Sequence, residues 1–163
     1  MNNLALILAR ADGGAAAVEF ALIAPLLLLM ILGVTELGKI VYYRSVLESA
    51  ARAGIQKAFT STLTSSSGRT TAQTNMETAA DLAITNSGIG GTVTSTAVVT
   101  CECSDFSVIT CVTGTCVTGS VRYIATVTMT RTYTPLFNMT NLPFGYNIDL
   151  NITLTGNSIM WVK

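Results

Sequence analysis

The feature that most constrains this chain is an apolar run close to its amino terminus. Residues 15–35 read AAAVEFALIAPLLLLMILGVT, and Glu19 is the single charged side chain among these positions. As an α-helix the run extends about 31 Å, which matches the hydrocarbon core of a bilayer. A domain of this size seldom buries a helix that is apolar all round for about five turns. The run therefore predicts a membrane-spanning helix rather than a core helix.

The amino-acid composition excludes several classes of function. Only 11% of the 163 residues are charged, 50% are hydrophobic, and the formal net charge is zero, so we expect no nucleic-acid partner. The sequence contains no histidine, which excludes Ser-His-Asp and Cys-His catalysis and the usual histidine-containing zinc sites. The carboxylates show no spacing typical of a paired acid and base. We therefore expect no catalytic residue, no metal and no cofactor.

The residues before the apolar run predict a leader. A secretory signal peptide needs a small-residue cleavage site after its apolar core, and Leu32–Leu37 has none. Ala15-Ala16-Ala17 has the small-residue pattern but precedes the core. The remaining arrangement is a short leader, residues 1–14, which ends at Gly14, with Glu19 fifth after that glycine.

This arrangement resembles the type IV pilin class, and residues 14–54 resemble the TadE family of tight-adherence pilus proteins. The resemblance is carried by Val18-Glu19-Phe20, Pro25 after ALIA, Glu36-Leu37-Gly38 and Leu47–Ala53. It implies cleavage between Gly14 and Ala15 by an aspartic prepilin peptidase at the cytoplasmic face. It also implies the partners: the membrane, that peptidase, the major pilin and related minor pilins, and the inner-membrane assembly platform with its ATPase.

Glu19 and Pro25 are the notable residues inside the run. An ionised carboxylate in lipid costs a few kcal/mol unless it has a partner. Cleavage frees the amine of Ala15, and a pair between this amine and Glu19, in one chain or between neighbours, predicts an assembly register. Alternatively, Glu19 only reaches the interface, being about 6 Å along the helix from Ala15. Pro25 removes a backbone donor and predicts a helix kink.

The orientation of the chain rests on two opposing signals. Arg10 precedes the run and Lys39, Arg44, Arg52 and Lys57 follow it, so the positive-inside rule alone favours a cytoplasmic carboxyl terminus. Large carboxyl-terminal domains translocate largely regardless of charge, and the cysteines suit an oxidising compartment. We therefore predict a single-pass protein of the bacterial inner membrane with a periplasmic carboxyl-terminal domain, able to enter a surface pilus.

Helical spacing continues past the run. Residues 39–59 predict an amphipathic stalk helix, and the polar stretch Thr60–Gly68 ends it. A second helix is expected over Thr74–Thr85, with a capping box from Thr74 to Glu77. The predicted organisation is a leader (1–14), a transmembrane helix (15–38), the stalk (39–59) and a head (60–163). The apolar face of the stalk comprises Ile40, Tyr43, Leu47, Ala50, Ala51, Ile55 and Ala58.

From Gly90 onward the hydrophobic period is two, which predicts half-buried antiparallel strands. One face should pack on the stalk helix, and the other, rich in threonine, should face solvent. The expected fold class is α+β, pilin-like, with a long amino-terminal transmembrane helix continuing into a stalk packed on a small antiparallel meander. The expected strands are Val121–Tyr133 and Tyr146–Thr155, with further candidates at Thr92–Thr100, Ser107–Cys111 and Ile159–Val162.

All four cysteines, Cys101, Cys103, Cys111 and Cys116, lie within 16 residues. Their C-x-C and C-x4-C spacing departs from the C-x-x-C knuckles of structural zinc sites. We therefore predict two disulfides that staple a hairpin rich in threonine and serine. A nested pairing, Cys101 with Cys116 and Cys103 with Cys111, suits a hairpin, and the crossed pairing stays open.

Two functional hypotheses follow. In the first, the chain is a minor pilin or pseudopilin, processed by prepilin peptidase, that acts in tight-adherence (Flp-type IV) pilus assembly and adhesion through association rather than catalysis. In the second, it is a static single-pass anchor whose stapled extracytoplasmic domain binds a surface, ligand or envelope partner. Processing at Gly14 separates these two hypotheses.

Overall fold

The computed structural model describes residues 12–117, 119–135 and 151–162. The chain divides into two compact units, Met1–Lys39 and Ile40–Lys163. Helix α1, Asp12–Ile55, begins in the first unit and ends in the second. It is α-helical through Pro25, and the predicted stalk then passes into a 3₁₀-helix at Gln56–Thr60.

The second unit is an α+β arrangement, as predicted. After the 3₁₀-helix come helix α2, Ser66–Ser87, and four strands. The strands are β1 (Val93–Cys103), β2 (Val108–Ile109), β3 (Val121–Tyr133) and β4 (Ile152–Val162).

All neighbouring strands are antiparallel, in the order β2-β1-β3-β4. The expected meander is therefore wrong, because β3 pairs with β1 and not with β2. A two-residue β2 cannot supply partners for the whole of a long strand, so β3 lies along the other edge of β1. Pairing with β1 runs from Val93↔Arg131 to Cys103↔Val121.

Strand β3 has the predicted bounds, and its odd-numbered residues from Ala125 to Met129 are buried. The two strands expected after Tyr146 are one strand in the described region, since Ile152–Val162 is continuous. Gly156 and Ser158 interrupt the hydrophobic alternation there, which is why the sequence indicated two pieces. The expected beginning of this strand, Tyr146–Leu150, lies outside the described residues.

The core of the second unit forms where the end of α1 packs on the sheet. The predicted apolar face is confirmed: Leu47, Ala51 and Ala58 are fully buried, and Tyr43 packs against the cluster. Gly156 of β4 lies against the backbone of Leu47 and Glu48. Because these side chains are apolar and closely packed, their burial is the main stabilising contribution to the head.

Helix α2 begins earlier than the sequence predicted. Its N-cap is Ser65, whose hydroxyl accepts from the Gly68 N–H at 3.0 Å, and not Thr74. Thr74 lies inside the helix, where its hydroxyl donates to the Thr70 carbonyl at 3.2 Å. The helix ends at Ser87, two residues beyond the predicted end, and its C-cap Gly88 adopts the left-handed conformation. A buried stripe, which outweighs the low helix propensity of the serines and threonines, comprises Arg69, Ala72, Met76, Ala80 and Ile84.

Candidate membrane and assembly site

The first part of α1 presents an apolar surface to its surroundings. Among the described residues, twelve large apolar side chains between Val18 and Leu37 are each 47–76% exposed. Leaving so much apolar surface in water costs on the order of 20 kcal/mol. Exposed patches of this size indicate contact with a membrane or another protein.

This surface fits a bilayer in length and composition. In the described part of the chain, one helix is long and apolar enough to cross a membrane. Its most apolar stretch has a mean hydropathy of 2.5, and none of that stretch is buried inside the protein. Within the described part of the chain, this stretch is therefore not a buried core helix.

The structure places the predicted site residues in order along α1. Gly14, Ala15, Glu19 and Pro25 all lie within it, and Gly14 and Glu19 are exposed. Ala15 and Glu19 are four residues apart in α1, which corresponds to about 6 Å along the helix axis.

Small residues allow another helix to approach the same segment. A methyl group added at Gly33 or Gly38 would meet nothing within 4 Å. In lipid, small residues let helix backbones come close and replace lipid contacts. Near the end of the apolar segment Lys39 forms an ion pair with Glu36 at 3.6 Å. The helix therefore combines an exposed apolar surface with small residues that leave open space beside its backbone.

The head carries two disulfides, Cys101–Cys111 and Cys103–Cys116. Disulfide formation is confirmed, but the pairing is the crossed one, so the favoured nested pairing is wrong. The register explains the difference. Cys101 lies opposite Ile109, and the turn after Cys103 is closed by the Ser107 carbonyl, which accepts from the Cys103 N–H. The hairpin therefore turns directly after Cys103. This turn brings Cys111, two residues after Ile109, diagonally beside Cys101, and Cys103 then pairs with Cys116.

Glu77 has a role that the sequence did not reveal. Its Oε1 accepts a hydrogen bond from the Ala97 N–H of β1 at 2.9 Å. Strand β2 pairs with β1 only at Cys101 and Glu102, so Glu77 supplies an acceptor on the edge of β1 beyond β2. The predicted capping role of Glu77 is wrong for the same reason, since the carboxylate faces the sheet.

Arg131 is a cation on the inner face of the sheet. Its guanidinium carbon lies 4.1 Å from the centroid of the Tyr43 ring, and the Tyr133 ring lies 5.7 Å from that of Tyr43. Nε and Nη1 of Arg131 are buried, with no hydrogen-bond partner among the described residues. Stacking on an aromatic face partly compensates a buried guanidinium. The alternation of β3 had placed Arg131 on this face but gave no sign of its aromatic partner.

Comparison with known proteins finds a match for the segment that contains Gly14, Glu19 and Pro25. A family model described as TadE-like protein matches residues 14–56, which confirms the resemblance over this part of the chain. The match begins at Gly14, spans the exposed apolar part of α1 and ends one residue after the helix does. No curated protein and no solved structure matches the chain.

Proposed function

Taking the TadE-like segment at residues 14–56 as the premise, we propose that the chain is a minor pilin or pseudopilin of a tight-adherence pilus. It is anchored in the inner membrane, processed between Gly14 and Ala15 by prepilin peptidase, and carries its head on the extracytoplasmic side. It acts in pilus assembly, with the head as an external, adhesive surface. The observation that carries the proposal is the unburied apolar part of α1, which begins directly after Gly14.

The proposed mechanism is association. While the subunit waits in the membrane, lipid covers the exposed side chains from Val18 to Leu37. Assembly replaces those lipid contacts by contacts with helices of the major pilin or a related minor pilin, and the small residues of α1 permit close approach. The inner-membrane platform and its ATPase supply the work of extraction. No step requires a cofactor or covalent chemistry beyond the processing of the leader.

Glu19 sets the axial register in this proposal. Once the leader is removed, the Ala15 amine is mostly protonated near neutral pH. A charge pair inside an apolar environment is strong when formed, and an uncompensated charge there is costly. Helices packed so that each Glu19 meets an amine are therefore favoured over helices shifted by a turn.

The test combines processing and assembly in cells with the pilus machinery. Intact mass and amino-terminal sequencing of the membrane-extracted protein should give Ala15 as the first residue when the peptidase is active, and Met1 when it is inactive. Glu19→Gln keeps the shape of the side chain but removes its charge, and should leave the protein in the membrane while lowering its recovery in sheared pili.

Glu48→Gln is the matched control, since Glu48 is on the same helix but in the second unit, where it pairs with Arg44 at 3.3 Å. This control should assemble as the unaltered protein does. A chain that retains Met1 despite an active peptidase would contradict processing and favour the static anchor. Normal pilus incorporation of the Glu19→Gln protein would contradict the register role.

A further inference from the structure

The face of the sheet that points away from α1, here called the outer face, carries an ordered array of hydroxyl groups. The even-numbered residues of β1 and β3 and the odd-numbered residues of β4 form this face, because the alternate residues are buried. The register aligns them in rows across the three strands. Two adjacent rows are Thr94–Thr130–Thr155 and Thr96–Thr128–Asn157.

The two ends of the outer face differ. At one end, a shallow depression of about 290 Å³ is lined by five threonines and by Arg131. Towards the other end, the row Thr100–Ile124–Trp161 presents an indole that is 66% exposed, beside Ile159, which is 62% exposed. Six residues along a strand separate Thr155 from Trp161, which is about 20 Å. The threonines of the depression are Thr92, Thr94, Thr130, Thr132 and Thr153.

We propose that the outer face binds an extended, uncharged polysaccharide. This inference deepens the adhesive role of the head within the proposed function, but it can fail independently of assembly. The chain would lie along the strands, with its hydroxyl groups on the threonine rows and one sugar ring on Trp161.

Charge complementarity supports an uncharged ligand. In the described strands, the rows of the outer face from Thr130 to Trp161 carry no charged side chain. Beyond Trp161, Glu102 and Arg122 lie opposite each other in the register, so their charges offset. Arg131 borders the depression at the other end of the face. Along the rows between these two ends a neutral ligand loses no ionic hydration, whereas an ionic group there would meet no counter-ion.

The hydrogen-bonding capacity of the face supports a ligand rich in hydroxyl groups. A threonine hydroxyl donates one hydrogen bond and accepts two, as a sugar hydroxyl does. The hydroxyls of Thr100 and Thr130 donate 3.5 Å hydrogen bonds to the carbonyls of Ile124 and Thr94, near the distance limit, and their acceptor sites remain open to a ligand. Threonine is restricted at χ1, so ordering these groups on binding costs little entropy.

The same composition argues against a protein partner on this face. Threonine and valine are under-represented among residues that dominate protein–protein binding, whereas tryptophan is enriched. The outer face has one tryptophan and many threonines. An indole packs well on the C–H face of a sugar ring, because its body is apolar and its edge polar.

The test is retention of the detergent-solubilised full chain on microcrystalline cellulose and on chitin, with alginate gel as the charged comparison. We expect retention on at least one of the neutral polymers, unchanged in about 0.5 M salt because no ion pair is involved. Trp161→Ala and the double variant Thr96→Val, Thr128→Val should each weaken retention about tenfold. Valine keeps the shape and strand preference of threonine, so the double variant should unfold at the same temperature as the unaltered chain.

Two matched controls lie off the outer face. Phe59→Ala removes a side chain that is 65% exposed on the 3₁₀-helix, and Thr70→Val removes an exposed hydroxyl on α2. Both control variants should be retained on the neutral polymers as well as the unaltered protein is. Four outcomes would overturn the inference. In the first three, the protein loses its retention in high salt, binds alginate equally well, or fails to bind either neutral polymer. In the fourth outcome, the folded outer-face variants are retained as well as the unaltered chain. A variant effect on self-association in place of polysaccharide retention would overturn it in favour of a protein contact. Pilus incorporation through Glu19 is read separately, so the two proposals fail independently.

Discussion

Gly156 is a residue at which β4 lies close against the backbone of α1. A methyl group added there would lie 2.5 Å from the Leu47 carbonyl carbon and 2.5 Å from the Glu48 nitrogen, and both are backbone atoms that cannot rotate away. We predict that Gly156→Ala lowers the free energy of unfolding of the head by about 1–3 kcal/mol, because α1 must shift from the sheet.

Thermal and denaturant unfolding of the detergent-solubilised chain measures this effect. Gly90→Ala is the matched control, since a methyl group at Gly90 meets nothing within 4 Å. Equal stability of the two variants would contradict the close approach at Gly156.

Asp105 is a residue whose titration the structure predicts. The Ser107 hydroxyl donates to Asp105 Oδ1 at 2.6 Å and the Ser107 N–H at 3.1 Å, and these bonds hold the pKa of Asp105 below its ordinary 3.8. A carboxyl with a depressed folded pKa stabilises the fold above pH 3.8, and that contribution is lost as the pH falls through the folded pKa.

Ser107→Ala removes the larger of the two causes, so the Asp105 pKa should rise towards 3.8. The side-chain carboxyl carbon of Asp105, followed by NMR through an acid titration, measures the shift. An unchanged midpoint would contradict the contribution of the Ser107 hydroxyl.

At the scale of the elements, Glu77 connects α2 to β1. We predict that Glu77→Ala lowers the free energy of unfolding by about 1–3 kcal/mol, because the part-buried Ala97 N–H loses its acceptor. Asp81→Ala, one turn further along α2 and exposed, is the control and should change stability little. Amide hydrogen exchange at Ala97 should accelerate in the Glu77 variant alone.

The elements differ in how far the sequence predicts them. The strict alternation from Val121 to Tyr133 predicted β3 with its observed bounds, because one face is buried along most of its length. The start of α2 was not predictable in this way. Serine and threonine favour caps and turns, so Ser66–Thr74 resembles a loop, and only packing of Arg69 and Ala72 into the head makes it helical.

The disulfides are likewise only partly predictable from the sequence. Four closely spaced cysteines predict two bonds, but the pairing depends on which residues lie opposite each other. That register follows from the turn directly after Cys103, and the Cys103 and Ser107 backbone hydrogen bond that closes it is not visible in the spacing of the cysteines.

For the whole molecule, the apolar part of α1 should decide where the protein resides. We predict that Leu28→Lys reduces membrane insertion, because a lysine at the centre of a spanning helix costs about 2.5–3.5 kcal/mol. Leu82→Lys is the matched control, since Leu28 and Leu82 are both 59% exposed but Leu82 lies on α2 of the head.

Carbonate extraction of membranes measures the result. The Leu28 variant should move partly into the soluble fraction, and the Leu82 variant should stay in the pellet. Equal retention of both would contradict the assignment of α1 as the anchor.

At this scale the sequence predicted the long apolar helix and the TadE-like resemblance, because hydropathy and a short motif are local properties of the chain. The candidate binding face was visible only as a threonine-rich pattern. Its rows, its depression and its exposed indole depend on the alignment of β1, β3 and β4, which places residues as far apart in the sequence as Thr94 and Thr155 in one row.

The crossed disulfides decide from which side the head can be oxidised. Cys101 and Cys103 are only 1% and 2% exposed in the finished fold, whereas their partners Cys111 and Cys116 are half-buried. In a folded but reduced head, an oxidant or a thiol exchange enzyme would therefore have to engage Cys111 or Cys116 first, and the buried thiol would then attack that mixed disulfide to close the bond. Late maturation of a subunit would thus depend on access to the far arm of the hairpin.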